Sequence, residues 1–265
     1  MVESKNIFIR ALHPLFVICA YLFLYIPVFV LIFFSFSSAS LLAVKWAGFS
    51  LKWYKNIFIY PEILKALNVS LIVAFVSTIL SIAMGTAFVF ATKWWKSAIL
   101  DKIFYANVIL PDIILAVGLL SLFAFFQVPL GYVTLIAGHT LIGLGFVIPI
   151  VRSRFKEIDP ILTEASSDLG ATQAETFWKI ILPLLTPSIV ASSLLVFTLS
   201  LDDFFIAYFC SGAKIQTLSI YVFSKIREGL DPTINALSTC MLAISSLFVI
   251  ILSLLKVVDR VIGHE

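Results

Sequence analysis

Six stretches of the chain stay apolar over a length that can cross a bilayer, which takes about 20 residues of helix. They run over 14–36, 67–91, 103–126, 132–151, 185–209 and 235–257. Pro14 and Pro27 lie in the first, Pro111 and Asp112 interrupt the third, and Gly138, Gly143 and Gly145 mark the fourth. Between the fourth and fifth the pattern changes. Residues 164–183 read EASSDLGATQAETFWKIILP, polar and alanine-rich with one glycine near the middle. The pattern predicts an all-α integral membrane protein, a single six-span domain over 1–265 with a structured polar loop at 152–185.

Composition agrees with this class. Hydrophobic residues make up 61% of the 265 residues and charged ones 12%, about half the roughly 25% of a soluble domain. Mean hydropathy is +1.10, which excludes a soluble all-α enzyme. A net charge of +3 says nothing about nucleic acid. Cys19, Cys210 and Cys240 are far apart, in or beside apolar runs, and read as small hydrophobes rather than metal ligands. Lys5 and Arg10 precede the first run as in a signal peptide. That run exceeds the about 7–15 residues of a signal core, so it reads as a retained span.

Basic residues set the orientation. With the N-terminus inside, Lys5, Arg10, Lys93, Lys96, Lys102, Arg152, Arg154, Lys156, Lys179, Lys256 and Arg260 face the cytoplasm. Lys45, Lys52, Lys55, Lys65, Lys214, Lys225 and Arg227 face outward. Arg152, Arg154 and Lys156 directly follow span four, where the rule weighs most. The expectation is N-in and C-in, with the polar loop cytoplasmic.

That loop carries the punctuation of two short helices. Asp159-Pro160 is an N-cap followed by proline at the first helical position. Leu162, Ala165 and Leu169 share a face, and Gly170 stands where a helix end takes a left-handed residue. Thr172 to Glu175 is a T-x-x-E capping box for the second helix, whose Phe177, Trp178, Ile180 and Ile181 suit a membrane interface. An ordinary solvated loop needs none of this, whereas a module that docks to a soluble partner does.

Three acids lie within predicted spans. Asp112 is about ten residues into span three, roughly 15 Å deep, while Asp202 and Asp203 lie nearer the outer end of span five. A carboxylate there costs at least about 2.5–3.5 kcal/mol. No Lys or Arg occurs in the central parts of the spans, so an external cation is the natural partner. Protonation, or a basic residue of a partner subunit, is the alternative. Asp202 and Asp203 are read as about 100° apart on one helix, with Ser200 on the Asp203 side and Phe204, Phe205 and Tyr208 as aromatic walls. Such a site suits an elongated, multiply charged amine and suits an oxyanion badly. His139 has no Asp, Cys or second His at ligand spacing, which argues against a metal there.

The spacing through Glu164, Ala165, Gly170, Ile180, Leu182 and Pro183 resembles the EAA motif of bacterial ABC importer permeases. Ser166 stands where that motif usually has alanine. LYIPVFVLIFFSFSSA (24–39), ILPDIILAVGLLSLF (109–123) and FTLSLDDFFIAYFCSG (197–212) are similar to the spermidine/putrescine permeases of that family, and the likeness covers nearly the whole chain. The resemblance implies a type I importer bundle in the bacterial inner membrane that moves polyamine by alternating access. It implies that Glu164, Ala165, Asp168, Leu169, Gly170 and Ala171 couple to an ATPase. Asp112, Ser200, Asp202, Asp203 and Trp53 would line the substrate path. The implied partners are a second permease subunit, an ATPase dimer and an extracytoplasmic polyamine-binding protein. ATP and Mg would be bound by the ATPase, since no glycine here is followed by lysine and the end of a phosphate loop is missing. Glu228 and Asp231, in the last outward loop, could meet the binding protein or simply be solvated. The rival readings are an ABC permease for another small solute and a proton-coupled secondary transporter. The first keeps the coupling module but disputes the cation, and the second leaves the module unexplained. No HExxH or G-x-S-x-G supports an intramembrane enzyme.

Overall fold

The computed structural model describes residues 2–39, 46–92, 109–229 and 232–254. Among these the chain is helical apart from one isolated bridge, Ser37 to Phe49. In chain order the helices are α1 (Val2–Ser35), α2 (Lys52–Ile59), α3 (Pro61–Ala91), α4 (Asp112–Phe125), α5 (Tyr132–Glu157) and α6 (Pro160–Asp168). Next come α7 (Gln173–Thr176), a π-helical stretch (Phe177–Ile181) and α8 (Leu182–Asp202). The last are α9 (Phe205–Cys210), α10 (Leu218–Glu228) and α11 (Pro232–Leu254). Lys45, Lys93, Lys96, Lys102, Asp231, Lys256 and Arg260 lie outside the described residues.

Four of the expected spans are long apolar helices, within Phe16–Ser35, Pro61–Ala91, Tyr132–Glu157 and Gln173–Asp202. Two are represented by shorter apolar helices, Asp112–Phe125 and Pro232–Leu247. The second span begins at Pro61, earlier than position 67, because proline at the first turn starts the helix before the chain turns fully apolar. Span three is interrupted at Leu110–Pro111, where the sequence places Pro111 and Asp112. One expectation of continuous helix is corrected: span five ends at Asp202, with Asp203 extended at φ −63° and ψ 131°.

The chain forms two compact units. The first comprises residues 1–61 and 224–244. In it the Trp53 indole N–H donates to the Ser37 carbonyl at 2.7 Å, and Tyr54 and Ser35 share a 2.7 Å hydroxyl contact. Phe36 stacks on Phe49 with ring centroids 5.3 Å apart.

The second unit, residues 62–223 and 245–265, contains the whole 152–185 loop. Its centre is α5, which packs against α8, α9, α3 and α4. Small residues allow the approach, as in membrane bundles where lipid is as apolar as leucine and close packing must drive association. A methyl at Gly138 would meet Ile206 Cγ2 at 2.6 Å, and one at Gly85 would meet Val147 Cγ1 at 2.7 Å. Val89, Val147, Ile148, Val151, Ile181 and Leu185 form the apolar cluster below. Buried hydroxyls return to their own helices, Ser77 to the Val73 carbonyl at 2.6 Å, and Ser81 also reaches the Thr140 carbonyl of α5 at 3.1 Å. Large side chains such as Phe75, Ile79 and Phe125 face outward, the arrangement expected where the surroundings are lipid.

Candidate functional site

The acids stand at the helix breaks. Pro111 lacks a backbone N–H and disfavours helical geometry in the residue before it. It is the N-cap of α4 at φ −57° and ψ 133°, and Asp112 is the first helical residue. A carboxylate there faces the positive end of the helix rather than the middle of a span. At the other break the Asp203 side chain caps the next helix. Its Oδ2 accepts the Ala207 N–H at 2.9 Å, while its carbonyl accepts the Ser219 hydroxyl at 2.6 Å. This local hydrogen bonding competes with helix continuation and explains the end of α8. Asp202 and Asp203 are therefore not neighbours around one helix.

Asp112, Asp202 and Asp203 line one cavity of about 220 Å³ together with His139, Ser200 and Phe146. Among the described residues no Lys or Arg lines it. Ligand pockets commonly hold about 300–1,000 Å³, so this one is small for a whole ligand. Phe146 is the aromatic wall. Phe204, expected there, instead stacks on Tyr208 and Phe223, with centroids 5.4 and 4.6 Å away.

His139, which the sequence marks only as an unlikely metal ligand, stands in the lining of this cavity. Its Nδ1 lies 2.7 Å from Ser200 Oγ, and Ser200 Oγ lies 3.4 Å from Ser77 Oγ. Its Nε2 lies 3.7 Å from Asp203 Oδ2, so the acid has a polar neighbour within the bundle. The partner comes from 64 positions away along the chain, beyond any spacing rule. The available signal was an ionisable residue beside glycine within a span, which is a functional candidate by default. Among the described residues no cluster of three His, Cys, Asp or Glu could hold a metal.

Trp53 belongs to the first unit and is absent from the cavity lining, its ring being only 6% exposed and its N–H used on Ser37. Glu228 pairs with Lys225 at 2.7 Å, also in the first unit.

The polar loop forms the two helices expected. The Asp159 side chain accepts the Ile161 N–H at 2.9 Å and starts α6. Gly170 follows its end at φ +80°, a left-handed conformation that glycine adopts without penalty. Thr172 and Glu175 form the reciprocal capping box, with Thr172 N–H donating to Glu175 Oε2 at 3.0 Å and Glu175 N–H to Thr172 Oγ1 at 3.2 Å. The Thr172 backbone N–H, the Lys179 ammonium and the Thr172 hydroxyl hold the Glu175 carboxyl down to about 2. Ser166, the departure from the motif, is buried and hydrogen-bonds Thr176 Oγ1 at 2.8 Å, tying α6 to α7. Glu164, Ala165, Asp168 and Gly170 are exposed, Ala171 is half-buried, and Leu169 is 89% exposed. The second helix corrects one expectation: Ile181 is fully buried in the core. Gln173–Asp202 spans 30 residues, roughly 45 Å of helix against about 30 Å of hydrocarbon, so it is longer than a perpendicular crossing needs.

Residues 77–263 match the family described as "Binding-protein-dependent transport system inner membrane component". The chain is 34% identical to the spermidine/putrescine transport system permease protein PotC of Escherichia coli K12, covering 91% of this chain and 92% of that one. It is 34% identical to PotC of Haemophilus influenzae, covering 92% and 96%. The putrescine transport system permease protein PotI of E. coli K12 is 36% identical, covering 83% and 82%. Among solved structures, a bacterial ABC transporter involved in import of the acidic polysaccharide alginate has a similar fold, with TM-score 0.71, 15% identity and 98% of both chains covered. The MetNI methionine ABC transporter matches with TM-score 0.57 and 20% identity over 76% of this chain and 96% of that one. With its helical bundle, broken spans and loop module, the chain belongs to the family of binding-protein-dependent transport system inner membrane components, the permeases of ABC transporters.

Proposed function

We propose that this chain is a permease subunit of a polyamine importer, carrying spermidine or putrescine across the bacterial inner membrane by ATP-driven alternating access. As a member of its family it is a transport component and not an enzyme. The observation that carries the substrate class is the cavity: three carboxylates, one aromatic wall and, among the described residues, no Lys or Arg in its lining. A polyamine is an extended chain of ammonium groups, each able to donate to a carboxylate, whereas an oxyanion would be repelled. The names of the PotC and PotI relatives support the same class.

Asp112, Asp202, Asp203 and Ser200 form the substrate path in this reading. Trp53, expected in that path, lies in the first unit. The exposed face of α6, with Glu164, Ala165, Asp168, Leu169, Gly170 and Ala171, seats in a partner ATPase. Its movement passes through the Ser166–Thr176 bond and the continuous α7–α8 helix to the Asp202 end of the bundle. The full assembly has a second, PotB-like permease, a PotA-like ATPase dimer that binds ATP and Mg, and a PotD-like extracytoplasmic binding protein. Both termini face the cytoplasm.

The test is labelled spermidine uptake in cells lacking their own polyamine importer, with this chain and its partner subunits co-expressed. Wild type should import spermidine. Asp203→Asn and Gly170→Asp should not, at equal membrane abundance. An active complex that imports a different solute and leaves spermidine outside removes the polyamine assignment.

A further inference from the structure

We propose that His139 is a substrate-contacting residue, whose Nε2 acts with Asp203 Oδ2 to receive one ammonium group of the cargo. The inference rests on the polyamine reading and adds to it a site residue that is not an acid. His139 is 3% exposed, lines the cavity, and comes from α5, the central helix of its unit. Its Nδ1 is engaged by Ser200 Oγ at 2.7 Å. Its Nε2 is buried and has no hydrogen-bond partner. Buried polar atoms are rarely left so, and an exception asks for a missing ligand.

The nearest polar group is Asp203 Oδ2 at 3.7 Å, too far for a direct hydrogen bond. An ammonium has three donors and no acceptor. With Nδ1–H donating to Ser200, Nε2 presents a lone pair, and an ammonium at the cavity wall can donate to Nε2 and to the carboxylate together. Ser200 thereby has a positioning role, since its hydroxyl holds the ring in the orientation that turns Nε2 towards Asp203. Gly138 lets Ile206 of α9 approach α5 closely beside the imidazole. A neutral acceptor paired with a carboxylate also suits a translocation site. Binding there has to be strong enough for entry and weak enough for release, and a further carboxylate in place of the imidazole would hold the cation more tightly.

The rival role is purely structural: His139 is present only to bond Ser200 and join α5 to α8. Two isosteric changes separate the roles. In His139→Asn the amide stands near Nδ1 and can keep the Ser200 contact, but nothing stands at Nε2. In His139→Gln the amide reaches the Nε2 position. Spermidine uptake kinetics are measured in the co-expressed complex, with membrane abundance checked for each variant. The expected result is a KM near wild type for His139→Gln and a KM raised about tenfold for His139→Asn, roughly the loss of one charge-assisted hydrogen bond. The opposite order, or an equal KM in the two variants, overturns the proposal. A wild-type complex that transports but imports no polyamine would instead sink the reading on which the proposal rests.

Discussion

At the residue scale the site is governed by where single side chains interrupt helices. Asp203 serves twice, since the Oδ2 that caps α9 through Ala207 is also the oxygen 3.7 Å from His139 Nε2 in the cavity lining. Asp203→Asn keeps an acceptor for Ala207 and removes the charge, so the fold should persist while cation affinity falls. Uptake should drop at least about tenfold, consistent with loss of a charge-assisted contact, with an unchanged melting temperature in detergent. A variant that melts early would assign Asp203 to structure instead. Gly143 is the complementary case. A methyl there would overlap Ser81 Oγ and stand 2.8 Å from Val196 Cγ1. Gly143→Ala should destabilise the bundle by about 1–3 kcal/mol, the usual cost of overpacking. Thermal unfolding of the purified complex reads this directly, and an unaltered transition would mean that α5 has room to shift.

At the element scale the polar loop, the proposed coupling module, combines a rigid entry with a permissive joint. Gly170 is left-handed, yet a Cβ there meets nothing within 4 Å. The glycine is required by backbone conformation and not by crowding inside the chain. A β-branched residue in that conformation costs roughly 1–2 kcal/mol or more, while asparagine tolerates it. Gly170→Asn should therefore retain more uptake than Gly170→Val; equal losses would show that an approaching partner, not φ, sets the constraint. The capping box has a pH signature. Folding lowers the Glu175 carboxyl from 4.5 to about 2, so its contribution is complete above pH 4.5 and fades as pH falls towards 2. Amides at the start of α7 should lose exchange protection over that window and not above it. Beyond the cap, the π-helical stretch closes with the Leu182 N–H on the Phe177 carbonyl. Such a bulge is often a functional adjustment within a helix, and here it lies between α7 and α8.

At the scale of the whole molecule the predicted orientation is N-in and C-in. Leu169, at 89% exposure, is a suitable reporter. With Cys19, Cys210 and Cys240 replaced, Leu169→Cys should react with a membrane-impermeant maleimide in inside-out vesicles and remain unlabelled in intact cells. Labelling from outside would invert the topology and detach the loop from any cytoplasmic ATPase.

Much of this was legible in the chain itself. Apolar run length predicted the membrane bundle because the bilayer has a fixed thickness. The Asp159 cap, the Gly170 turn and the Thr172–Glu175 box were readable because each is satisfied within a few residues. The three acids were identified because charge is costly among apolar neighbours. Tertiary structure alone decided the rest. Asp203 leaves the helix because its carbonyl meets Ser219 and its carboxylate meets Ala207. Ile181 is core rather than interface because α5 and α8 close over it. His139 joins the site because the glycines of α5 bring α9 against it and α8 places Ser200 on its ring. Periodicity records which face of a helix is apolar, but contacts between distant segments depend on how those faces pack in three dimensions.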